Sequence, residues 1–94
     1  KEQAQYLKHW EKLNKANAAK HANTTEADFS FSNMSGSNLQ GNNLTQSQFV
    51  GSNLKNTLLT NADVTKTNFS RAKNLTLAQL LSTRNANNLV YQPA

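Results

Sequence analysis

A chain of 94 residues with net charge +5 and no cysteine is one small domain. The missing thiols exclude disulfides and thiolate metal sites, and no apolar stretch is long enough to cross a membrane as a helix.

The first predicted element is a helix from about Glu2 to Ala22. Tyr6, Leu7, Trp10 and Leu13 gather on one face, while Lys1, Lys8, Lys12 and Lys15 gather on the opposite one. Glu11 and Lys15 form a favourable i,i+4 pair. Five Lys against two Glu place most of the excess charge here. We read the segment as an N-terminal cap. A membrane surface or a partner groove would also suit a basic amphipathic helix, but four apolar residues make a thin stripe for either. No signal peptide stands in these residues, and the chain opens on Lys1 rather than Met, so a processed or excised product is expected.

From Ala27 to Arg71 the chain divides into nine blocks of five: ADFSF, SNMSG, SNLQG, NNLTQ, SQFVG, SNLKN, TLLTN, ADVTK and TNFSR. Phe29, Met34, Leu39, Leu44, Phe49, Leu54, Leu59, Val64 and Phe69 hold every third place. First places are small or polar, and second places are mostly Asn or Asp. On an α-helix five steps advance by roughly 140°, so no apolar stripe forms. On a straight strand an odd period throws successive apolar residues onto opposite faces. The chain must therefore turn a corner in every block. First and third places point inward, second and fourth outward, and the fifth absorbs the bend.

This pattern resembles the pentapeptide-repeat family, whose repeat reads approximately A(D/N)LXX. The resemblance covers 45 consecutive residues. It implies an all-β solenoid: a right-handed quadrilateral parallel β-helix with four blocks per coil, here about two and a quarter coils. Phe29, Phe49 and Phe69 recur every twenty residues and would stack at the ~4.8 Å spacing of neighbouring strands. Met34 with Leu54, Leu39 with Leu59, and Leu44 with Val64 form the other columns. Asn42 is large for a first place, and its amide must find a partner inside. The phase fails at Asn74, which stands where a Leu or Phe belongs. The expected organisation is a single domain: 1–26 cap and linker, 27–74 β-helix, 75–94 C-terminal cap and tail.

Beyond Asn74, Thr76-Leu-Ala-Gln79 reads as a capping box. Leu77, Leu80 and Leu81 supply an apolar face to a short helix running to Arg84. Leu89 to Tyr91 are expected to pack back on the body. Fifteen Asn could signal a disordered tract, but the unbroken register argues otherwise.

Catalytic groups are nearly absent. His9 and His21 stand twelve apart and roughly 120° out of line on a helix, which does not match a helical metal pair. Asp28 and Asp63 fall at outward places on different blocks, so no carboxylate pair assembles. Ser32, Ser37, Ser47 and Ser52 are first-place fillers without a base nearby. We expect no enzyme, no cofactor and no metal.

The expected function is a non-enzymatic interaction or scaffold module that reads another protein or a second copy of itself. Family members that imitate duplex DNA against a type II topoisomerase are acidic rods, and a short basic chain departs from them. Nucleic acid is not the expected partner, because aromatics interleaved with the positive charge are lacking. Resemblance to exported members leans towards a periplasmic or secreted form. Phe31, Val50 and Leu58 are apolar at places that face water, and Phe31, Gly51 and Arg71 align along one edge with Val50 beside them. Phe31, Val50 and Arg71 are the expected partner surface.

Overall fold

The computed structural model describes Lys8, Glu11, Lys12, Asn14, Lys20 and residues 22–92. The stripe of Tyr6, Leu7, Trp10 and Leu13, and both histidines, lie outside the described residues. Lys8, Glu11, Lys12 and Asn14 are helical, and the Asn14 side-chain oxygen accepts the Asn38 N–H at 2.9 Å.

The chain returns upon itself along four columns of second-place residues. Parallel bridges link Asn23, Asn43 and Asp63; Asp28, Gln48 and Asn68; Asn33, Asn53 and Lys73; and Asn38 and Leu58. Each step is twenty residues, four blocks. No described residue belongs to an extended strand, since each side contributes one bridging residue before the next turn. Third-place N–H groups donate to second-place carbonyls one layer on, as from Phe29 to Gln48 and from Phe49 to Asn68, both 2.7 Å.

The corners follow from the backbone. Every fifth place from Glu26 to Arg71 has positive φ, from 55° at Lys66 to 73° at Gly36. The next N–H closes a β-turn onto the third-place carbonyl, as Ser47 does onto Leu44 at 2.9 Å. A clamp holds the outer side of most corners. The side-chain oxygens of Asn23, Asp28, Asn33, Asn38, Asn43, Asn53, Asp63 and Asn68 each accept the N–H two residues on, at 2.9–3.1 Å. This Asx turn is the physical reason for Asn and Asp at the second place.

Inside, all nine third-place residues from Phe29 to Phe69 are at most 1% exposed. The three Phe rings stack with centroids 5.2 and 5.3 Å apart. First-place hydroxyls satisfy carbonyls of the layer before: Thr57 donates to Met34 at 2.8 Å and Thr67 to Leu44 at 2.6 Å. Asn42 is fully buried, and its side-chain oxygen accepts the Thr24 hydroxyl at 2.6 Å.

The ends differ from the sequence expectation. The regular ladder begins one block before Ala27, with Asn23 bridged, Thr24 buried and Glu26 at φ 61°. A third-place Thr hides that block because its hydroxyl is matched to Asn42 rather than to the apolar rule. At the other end Ala72 is buried and Lys73 bridged before positive φ arrives early, at Asn74. The helix spans Leu77–Leu81, short of Arg84, and Thr76 and Gln79 form its capping box. Leu80 packs on the core, whereas Leu77 and Leu81 are 70% and 74% exposed. Gln79 sets this orientation by donating to the Leu54 and Thr57 carbonyls at 2.8 and 3.0 Å. The tail then rejoins the ladder, Arg84 pairing with Asp63 and Val90 with Asn68. Leu89 packs on the core, while Val90 and Tyr91 stay nearly half exposed.

Asp63 sits where the tail returns. The Asn85 amide donates to its carboxylate at 3.0 Å, and the Thr65 hydroxyl donates at 2.7 Å. Those bonds, with a further one from the Thr65 N–H and the Arg84 charge, hold its pKa below the ordinary 3.8 against the opposing effect of burial. A depressed carboxylate contributes stability above its unfolded pKa and loses it as pH falls through the lower folded value. Denaturation free energy measured from pH 7 downward should therefore begin to lose this contribution near pH 4. Asp63→Asn should flatten that part of the acid slope, and an unchanged slope would remove Asp63 from the tail's attachment.

Candidate interaction surface

Two blocks lack the Asx clamp among the described residues: Gln48-Phe49-Val50 and Leu58-Leu59-Thr60. Gln48 is one carbon too long for the turn, and Leu58 has no acceptor. Each exception carries an apolar side chain outward, Val50 in the first and Leu58 in the second.

Around Val50 the sequence-predicted residues come together as follows. The Phe31 N–H donates to the Val50 carbonyl at 2.8 Å, and Val50 is half-buried. Phe31 is 80% exposed and sits at φ 59°, a left-handed conformation that bulky side chains rarely adopt. Its ring lies over Gly51. A Cβ there would fall 2.6 Å from the ring, so glycine at 51 makes room for it. Arg71 occupies the same corner one layer further on, with φ 59° and its N–H bonded to the Gln92 carbonyl at 2.7 Å. Phe31, Gly51 and Arg71 thus share one edge at the corners of three successive layers, and the Phe31 ring reaches the middle one.

Leu58 lies on the opposite side, 46% exposed, beside a groove at the start of the C-terminal helix. The sequence marked Leu58 by its misplaced polarity but carried no signal for the groove, whose other wall comes from non-repeating chain. Among the described residues no group of three or more His, Cys, Asp or Glu could hold a metal ion, and no helix is long and apolar enough to cross a membrane.

Stacked short sides, left-handed corners and an apolar column define a β-solenoid. A family model for pentapeptide repeats matches residues 19–47 and 43–73, with eight copies. The chain belongs to the pentapeptide-repeat family. Such repeats form right-handed β-helices, are generally non-enzymatic and support a role in protein interaction. No curated protein and no solved structure gives a significant match.

Proposed function

We propose that the protein is a non-enzymatic interaction module, built on a right-handed quadrilateral β-helix and reading a protein partner through the edge of Phe31, Val50 and Arg71. In this reading the N-terminal helix and Leu77–Leu81 cover the ends of the coil, since each terminal layer of a solenoid otherwise leaves apolar residues bare. The Asn14–Asn38 hydrogen bond supports the first cover, and the packing of Leu80 supports the second.

The carrying observation is Phe31 itself. Other described corners hold Gly, Asn, Gln, Lys, Arg or Glu, and an exposed phenylalanine at positive φ costs about 1–2 kcal/mol of backbone strain without filling the core. Stability alone would select Asn or Gly there. An aromatic lying against glycine, with an arginine along the same edge, has the composition of an interface hot spot.

Phe31→Asn combined with Val50→Thr should therefore fold, and Phe31→Asn alone should raise stability by about 1 kcal/mol. A photo-crosslinking residue at position 31, introduced in the native host, should trap a partner that the same residue at Ser35 does not. Arg71→Glu should weaken that capture. Equal trapping at both positions would refute the edge, and inhibition of DNA supercoiling by the purified chain would move the function to topoisomerase regulation.

A further inference from the structure

A second surface lies where residues 54–58 meet the entry to the C-terminal helix. An open groove of about 580 Å³ is lined there by Lys55, Asn56, Leu58, Asn74, Leu75 and Gln79, among others. Its volume falls within the range of small-ligand sites.

The walls are held in place. Gln79 is fixed by its two bonds to the Leu54 and Thr57 carbonyls. Asn74 donates its amide to the Asn53 side-chain oxygen at 2.9 Å. Leu75 packs partly on the core, and Leu58 stands 46% exposed. Leu58 occupies a place where eight other blocks have a clamping Asn or Asp, so the chain forgoes a hydrogen bond to put an apolar side chain in this groove.

Charge identifies the occupant. Residues 32–41, 52–61 and 72–81, which build the two sides meeting here, contain Lys55 and Lys73 and no Asp or Glu. Glu26, Asp28 and Asp63 all belong to the other two sides. An apolar floor beside a lysine, in a groove with no acid in its lining, complements a negatively charged chain carrying an apolar residue. We propose that the groove binds an extended acidic peptide segment, seating one aliphatic side chain on Leu58 and Leu75 and a carboxylate against Lys55. Asn56 stands beside the floor with an amide that can bond the peptide backbone.

The test uses the full chain and three fluorescein-labelled synthetic peptides: one Leu flanked by Glu and Asp, the same with Lys for every acid, and the same with Gly for Leu. Fluorescence anisotropy should show the acidic Leu peptide binding at least about tenfold more tightly than either control, and the preference should shrink as salt rises. Leu58→Asn installs the clamp found in the other blocks and so should fold; it should weaken binding by about tenfold or more. Lys55→Gln should weaken the acidic peptide several-fold and leave the Gly control unchanged. Phe31→Asn should bind the peptide as the native chain does, which separates this groove from the Phe31 edge. Equal binding of the basic peptide, no binding of the acidic one at millimolar concentration, or indifference to Leu58→Asn would overturn the assignment. A dimer in sedimentation velocity that Leu58→Asn dissolves would overturn it too, by showing the occupant to be a second copy.

Discussion

Phe49→Ala should cost about 3–5 kcal/mol and leave the chain largely unfolded at 37 °C. Phe49 is fully buried between Phe29 and Phe69, with its ring stacked on both. Truncating it removes the transfer energy of the ring and leaves a cavity that two neighbouring layers cannot close, because their spacing is set by backbone hydrogen bonds on every side. A solenoid concentrates the damage, since each layer is stabilised only by those adjoining it. Ser35→Ala is the matching control: its side chain is exposed, and the change should stay within about 0.5 kcal/mol. Urea denaturation followed by circular dichroism measures both. Similar midpoints for the two variants would mean that the aromatic column does not hold the layers together.

The second large effect comes from the buried pair at the start of the ladder. Thr24→Val keeps the shape of the side chain but removes the hydroxyl that donates to Asn42 at 2.6 Å, at a site where Asn42 is 0% exposed. Depriving a buried carbonyl oxygen of a donor should cost about 1–3 kcal/mol. The double change Thr24→Leu, Asn42→Ser restores the pattern of the other blocks, with an aliphatic third place and a small first place. It should recover part of the loss, because replacing both members of the pair leaves neither group facing an apolar partner in the other's place. Denaturation of Thr24→Leu, Asn42→Ser and the double variant completes the cycle. Additive losses would mean that the two departures from the repeat are independent rather than matched.

The period of five determined the interior at the level of single residues. Phe29 through Phe69 at every third place, small residues at the first, and Asn or Asp at the second express geometry that lies within one block: two inward positions, a left-handed corner and an Asx clamp. Local geometry repeated in phase is legible because each block states it again. The twenty-residue recurrence of Phe likewise placed the aromatic column, since stacking needs only equal spacing along the coil. Phe31, Val50 and Leu58 stood out as violations of the same rule.

What the sequence did not disclose lies where the rule lapses. The block of Thr24 was concealed because a hydroxyl stands where a hydrocarbon belongs, and only its distance to Asn42 reveals the match. Arg84 and Val90 join the ladder through backbone bridges that need no particular side chain, and the Arg84 guanidinium adds a bond to the Asn61 carbonyl at 2.9 Å. Leu77 and Leu81 turn outward because Gln79 bonds carbonyls more than twenty residues earlier in the chain. The resting place of the Phe31 ring on Gly51, and the groove beside Leu58, likewise depend on which segments the layers bring side by side. Periodic side-chain chemistry specifies the corner and the core, whereas contacts between layers and with the non-repeating ends are decided by packing and by backbone hydrogen bonds that any residue can make.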